Sequence, residues 1–251
     1  MNRNNKIQEN DKILLIGKRN FLVTKKQKKM GTQYGEIDLT KIKKYGQKIK
    51  SSSGDTFIVS KPTIIDLLRK CNRLPQIITT KDAAQIIAVT GLTSGWKCLD
   101  AGSGSGFLAI FLGNIVNPNG SVVTYEKNDR FYENAKKNIE FCGLQKIITI
   151  KNKDILNGFN EKGLDLITFD MIHAEKMIPK AKKALNPGGW LCVYSPHIEQ
   201  QKKAVEEMIK ENFVHIKTIE TMQREWQVSD YTHPMPKQIV HTGFMTFGRK
   251  G

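Results

Sequence analysis

Between Trp96 and Ser195 the chain alternates five short, continuously apolar runs with segments of helical spacing. The runs are WKCLDA, SVVTYE, KIITIKN, LDLITFD and GWLCVYS; between them fall GFLAIFLGNIV, DRFYENAKKNIEFCG and HAEKMIPKAKKAL. A strand that is apolar on both faces needs cover on both faces, and helical crossovers supply it. The alternation predicts an α/β fold, a doubly wound, mostly parallel Rossmann-like sheet over residues 96–251. A polar helix over Ile198–Glu211 and two strand-like runs, HIKTIETM and HTGFMTFGRK, follow it. No repeat or low-complexity tract interrupts the pattern.

Residues 1–60 read differently. KILLIG, NFLVTKK, TQYGEIDL and DTFIVSK are short strand-like runs, with turn signals such as SSSGD between them. They predict a small N-terminal β domain. Residues 61–95 read as a helical linker: PTIIDLLRKC has helical spacing, and KDAAQIIAV is a helix stopped by Gly91. The β domain is strongly basic. Residues 1–80 hold 18 Lys and Arg against 6 Asp and Glu, a surplus of 12 in a chain whose net charge is +16. A localised surplus of that size points to a polyanion such as nucleic acid, whose condensed counterions are released on binding. A coding bias toward Lys, Asn and Ile would leave the same trace on a solvated surface. No basic helix with an aromatic face suggests a membrane surface, and no apolar run approaches the roughly 18 residues of a spanning helix. A soluble, cytoplasmic protein is expected. The four cysteines, Cys71, Cys98, Cys142 and Cys192, form no C-x-x-C pair, and no histidine pair has ligand spacing, so no metal site is expected.

The stretch LDAGSGSGFLAI places Gly102, Gly104 and Gly106 between a strand and a helix. The dinucleotide fingerprint would need its third glycine at Phe107, and no Gly-Lys-Ser/Thr follows as a phosphate loop requires. Three acids surround the loop in sequence. Asp100 precedes it, Glu126 ends the next strand about 20 residues on, and Asp154 follows the strand after that. Each alone is an ordinary strand-end polar residue. Together they stand where open α/β sheets bind ligands. Added negative charge repels a diphosphate and suits a sulfonium nucleoside that carries an ammonium group and a ribose diol.

LDAGSGSG, Glu126 and Asp154 resemble the first three motifs of the class I S-adenosylmethionine-dependent methyltransferases. A narrower resemblance is to the tRNA (adenine-N1)-methyltransferases of the T-loop. LPQIITTKDAAQIIAVTGL (Leu74–Leu92), NPNGSVVTYEKNDRFYENAKKN and IVHTGFMTFGRK (Ile239–Lys250) carry it, over roughly residues 74–250. By this resemblance Gly102, Ser103, Gly104, Ser105 and Gly106 contact the methionine part of S-adenosylmethionine, and Glu126 holds the ribose. Asp154 bonds the adenine amino group of the cofactor, in a pocket lined by Ile78 and Phe131. Asp170, ending LDLITFD, stands beside the methyl group and the incoming base. It is the expected catalytic residue, orienting a tRNA adenine that has been flipped from its stack.

Two departures from the family pattern are visible. No proline follows Asp170 in FDMIHAEK, and Thr79 stands where the family often has an aromatic residue or His. Base stacking then falls to another residue, with Tyr194 the candidate; a strand-closing core role is its plainer reading. His173, His197 and His241 read as surface residues. The resemblance also implies a homotetramer that binds tRNA. It leaves two other functions open, a tRNA-binding subunit without activity and a class I methyltransferase with another substrate, such as a protein carboxyl group. A nicotinamide dehydrogenase is disfavoured by the missing third glycine and the lack of a proton-transfer constellation.

Overall fold

The computed structural model describes residues 7–74, 77–236 and 239–251. Pro75 and Gln76, inside the Leu74–Leu92 segment, lie outside the described residues. The chain divides into two compact units, with the boundary between Cys71 and Asn72. That boundary falls inside the stretch expected to act as a linker: its first part belongs to one unit and its second part to the other.

The first unit contains β1 (Lys12–Ile16), β2 (Phe21–Thr24), β3 (Lys29–Thr32), β4 (Gly35–Asp38), β5 (Lys48–Lys50), β6 (Thr56–Ser60) and α1 (Ile64–Leu68). Four strands form an antiparallel sheet in the order β2-β1-β6-β5, while β3 and β4 make a separate hairpin. Alternating side chains of β1 and β6 bury Ile13, Leu15, Phe57 and Val59 in a core shared with Ile37, Leu39 and Ile42. Phe21, Tyr34 and Phe57 pack edge to face in it. A capping box, in which Thr63 and Asp66 bond each other's backbone amides, starts α1.

The second unit begins with α2 (Thr80–Thr90), closed by Gly91 in the left-handed conformation. It continues with β7 (Lys97–Ala101), α3 (Phe107–Val116), β8 (Ser121–Glu126), α4 (Asp129–Phe141), β9 (Ile148–Asn152), β10 (Leu164–Asp170), α5 (Ile178–Ala184), β11 (Leu185–Ser195), α6 (Ile198–Lys210), β12 (Phe213–Glu220), β13 (Trp226–Gln227), β14 (His233–Pro234) and β15 (Phe244–Lys250). Seven strands form one sheet in the order β12-β15-β11-β10-β7-β8-β9. β7 to β11 run parallel, and β15 is antiparallel to both of its neighbours. This is the expected Rossmann-like sheet. The chain steps outward from β7 to β8 and β9, then returns to the other side of β7 for β10. A crevice opens where the order reverses, at the carboxyl ends of β7 and β10. No helix among the described residues is long and apolar enough to cross a membrane.

Register sets the centre of this sheet. Asp100 on β7 pairs with Thr124 on β8 and Thr168 on β10. Both threonine hydroxyls donate to the Asp100 carboxylate, at 2.7 Å each, and all three residues are buried. Burial nevertheless pushes the carboxyl up to about 6, against the pull of those two bonds. In the unfolded chain the group ionises near 4, so between about pH 4 and 6 the folded state holds the extra proton and stability falls as pH rises. Asp100→Asn, which can accept from one threonine and donate to the other, is expected to be more stable than wild type at pH 7 by roughly 2–3 kcal/mol. The gain should shrink toward zero at pH 4 in denaturant titrations. Thr168→Val, which strips one bond from a buried carboxylate, should cost about 1–3 kcal/mol at pH 7.

Candidate cofactor and base site

The glycine loop is sewn to the ends of two strands by its own backbone. The Gly102 amide donates to the Asp170 carbonyl at the end of β10, at 3.2 Å, and the Ser103 amide to the Tyr125 carbonyl of β8, at 2.8 Å. The loop turns back on itself through a bond from the Gly106 amide to the Ser103 carbonyl, at 2.7 Å. Gly106 has φ +79°, and a Cβ there would meet the Ala135 methyl of α4 at 3.2 Å. A larger residue is disfavoured both by the backbone and by the neighbouring helix.

Glu126 closes β8 with its carboxylate facing the loop. One oxygen accepts from the Gly104 amide at 2.8 Å and the other from the Asn128 amide at 2.9 Å. A carboxylate has about four acceptor positions, so capacity remains for a ligand hydroxyl. Asp154 caps the short turn Ile155–Asn157, accepting from the Leu156 amide at 3.0 Å, and faces Lys127 at 3.8 Å. Asp170 closes β10, and among the described residues its carboxylate has no hydrogen-bond partner. Burial, with the Asp100 charge as a smaller cause, pushes its carboxyl up to about 7. Gly102, Glu126, Asp154 and Asp170 line one cleft of about 230 Å³.

The other expected residues take different places. Ser103 is buried, and its hydroxyl has no partner among the described residues. The Ser105 hydroxyl is taken by the Leu74 amide at 2.9 Å, and its carbonyl by Asn138. Gly104 and Gly106 do not line the cleft. Ile78 is buried two residues before α2, and Phe131 is half-buried in the first turn of α4; neither lines the cleft. Tyr194 is buried, with its hydroxyl donating to the Thr242 carbonyl at 2.7 Å. The ring is so closely covered by Gly243 that a Cβ there would come within 2.5 Å of it. This is the position of a residue closing its strand in the core. Asp100 also departs from the sequence reading: it is buried between two threonine hydroxyls and does not line the cleft.

His173 and His197 are exposed, as expected. His241 is exposed too but engaged, with Nδ1 2.6 Å from Glu220 and Nε2 3.0 Å from the Pro196 carbonyl. No metal-binding cluster occurs among the described residues. The cleft also has walls that the sequence pattern does not single out. Tyr125 forms one, with its hydroxyl donating to Glu161, which is itself paired with Lys151. Met171 and Ile172 form another, directly after Asp170, where the family proline is missing. Their positions beside Glu126 and Asp170 are the signal by which they could be found.

Comparison with known proteins points to one family. The family described as the tRNA methyltransferase complex GCD14 subunit matches residues 68–242. A tRNA (adenine(57)-N(1)/adenine(58)-N(1))-methyltransferase TrmI of Methanocaldococcus jannaschii is 34% identical, covering 93% of this chain and 92% of its own. Among solved structures, an S-adenosylmethionine-dependent O-methyltransferase of Thermotoga maritima superposes with a TM-score of 0.85 at 30% identity, over 98% of this chain and 95% of its own. The tRNA (m1A58) methyltransferase TrmI of Aquifex aeolicus does so with a TM-score of 0.78 at 26% identity, over 98% and 99%. With a family match across most of its length and a relative 34% identical over nearly the whole chain, the chain belongs to the GCD14 family of tRNA methyltransferases.

Proposed function

We propose that this protein transfers a methyl group from S-adenosylmethionine to N1 of an adenine in the T-loop of tRNA. The observation that carries this reading is Asp170: an acid at the end of β10 whose carboxylate has no hydrogen-bond partner among the described residues, sharing a cleft with Gly102, Glu126 and Asp154.

The residues present fit the cofactor. At Gly102 a Cβ would extend toward the Asp170 carbonyl at 3.6 Å and Glu126 Oε2 at 3.7 Å, so glycine keeps that space free for a ligand. The buried Ser103 hydroxyl has no partner among the described residues. Glu126 would hold the ribose hydroxyls and Asp154 the amino group of the cofactor adenine. S-adenosylmethionine supplies a methyl group on a positively charged sulfur, which departs as a neutral thioether.

The protein's own work is alignment and charge. Adenine N1 has an in-plane lone pair, so no strong base has to precede attack. The Asp170 carboxylate would accept from the N6 amino group, orienting the ring and offsetting the positive charge that develops on it. This task requires the ionised carboxylate. Burial holds the proton on Asp170 up to about pH 7, so the active form grows as pH rises through that value. The basic first unit supports binding of the tRNA backbone, which would be read through phosphate charge more than through sequence. Tetramer formation is part of the same proposal. The exposed Met222, Trp226, Val228, Tyr231, Ile239 and Val240 form apolar surface in the segment between β12 and β15 that a partner subunit would cover.

Incubated with S-adenosylmethionine and unmodified tRNA, the purified chain should create a new reverse-transcription stop in the T-loop; no stop there would reject the assignment. Asp170→Ala is expected to lose roughly 100-fold or more in turnover while keeping cofactor affinity better than Asp154→Ala. Equal loss of cofactor binding in both variants would contradict this division of roles. Single-turnover rates of the wild type should climb about tenfold per pH unit below pH 7 and level off above it, a dependence that Asp170→Asn should abolish.

A further inference from the structure

Lys81 and Asp82 form a buried ion pair at the start of α2, with side chains 10% and 0% exposed. Every proton of the ammonium group is used. Lys81 Nζ donates to Asp82 Oδ1 at 2.7 Å, to the Thr221 carbonyl at 2.5 Å and to Thr242 Oγ1 at 2.6 Å. Asp82 Oδ2 in turn accepts from the Thr242 hydroxyl at 2.7 Å and the Thr79 hydroxyl at 2.9 Å. The result is a closed ring of partners, which is what allows both charges to leave water.

The two threonines bound by this lysine have a particular place in the chain. Thr221 directly follows the end of β12, and Thr242 stands just before β15. Between them the chain leaves the seven-stranded sheet, forms the β13–β14 hairpin and returns. One ammonium group therefore grips both ends of that excursion. On the outer side of the same neck, His241 bridges Glu220 and the Pro196 carbonyl. The neck lies on Tyr194, whose hydroxyl bonds the Thr242 carbonyl and whose ring packs under Gly243. Tyr194 is the register partner of Asp170 on the neighbouring parallel strand. A continuous set of contacts thus runs from the ion pair, through Thr242, to the side chain beside the proposed catalytic carboxylate.

We infer that the Lys81–Asp82 pair is a positioning device: through Thr242 it clamps the neck of the β12–β15 excursion onto Tyr194, the register partner of Asp170, and so fixes the strand end that carries Asp170. A buried pair of this kind does little for stability compared with apolar side chains of similar volume; its use is to select one arrangement over others. Neither Lys81 nor Asp82 touches the cleft that holds the cofactor acids. Their effect belongs to the base and not to the cofactor. The assignment rests on the reading of Asp170 given above.

Thr242 offers the cleanest test, because its hydroxyl both accepts from Lys81 and donates to Asp82. Thr242→Val keeps the shape and removes the hydroxyl; Thr242→Ser restores it. In Thr242→Val, turnover on tRNA at saturating S-adenosylmethionine should fall at least tenfold while the cofactor dissociation constant stays within twofold of wild type. Amide hydrogen exchange over residues 222–236 should speed up at the same time, and Thr242→Ser should behave as wild type in all three measurements. The double variant Lys81→Met/Asp82→Leu should keep the melting temperature yet show the same loss of turnover. Wild-type turnover in Thr242→Val, or parallel loss of turnover and cofactor affinity, would overturn the positioning role. If the wild-type protein leaves tRNA unmethylated, the function proposed above is what fails. Unchanged exchange in Thr242→Val would then still reject the clamp, and faster exchange would uphold it.

Discussion

Two backbone hydrogen bonds hold the site together: Gly102 amide to Asp170 carbonyl, and Ser103 amide to Tyr125 carbonyl. They tie the turn after β7 to the ends of β10 and β8, the strands on either side of it. Because they use main-chain groups, they hold whatever side chains those strand ends carry. Glu126 and Asp170 then arrive next to the loop by one-residue continuation of strands already in register. The cleft is a consequence of where the sheet reverses its order, and its charge is a consequence of which residues occupy the strand ends.

The acids divide by environment. Asp100 and Asp170 belong to neighbouring strands and both are held toward the protonated form, but the causes lead to different roles. Asp100 is buried between two threonine hydroxyls and does not line the cleft. Asp170 lacks such partners among the described residues and stands at the cleft wall, so its charge is available to a ligand. An electrostatic case for a cationic cofactor therefore rests on Glu126, Asp154 and Asp170. Asp100 contributes through its field, which raises Asp170.

Much of the second unit is legible in the amino-acid sequence itself. Continuous apolar strands, Gly91 after a helical run and the glycine-rich turn each have a local cause, and each occurs where its residues predict. The same holds for Glu126, Asp154 and Asp170, because strand ends in a doubly wound sheet point to a known edge. Asp100 departs from its expected role for a reason that local pattern cannot supply. Its partners are 24 and 68 residues away, and only the register of three parallel strands sets them side by side. Tyr194 shows the same limit: its exposure is decided by Gly243, on a segment that returns from an excursion. Met171 and Ile172 become cleft walls by following Asp170, a neighbourhood that composition does not rank.

Lys81 and Asp82 make the division plainest. In the chain they are two adjacent charges in the first turn of a helix, a pattern normally left in water. In the folded protein they are enclosed, because two threonines separated by the whole β12–β15 excursion converge on them. The alternation of strand and helix, the glycine-rich turn and the acids at the strand ends follow from interactions over a few residues and from the periodicity of apolar side chains, and the amino-acid sequence settles these alone. Which carboxylate faces a ligand, which tyrosine is covered and which charges are clamped depend on long-range register and burial, and these exist only once distant segments have packed together.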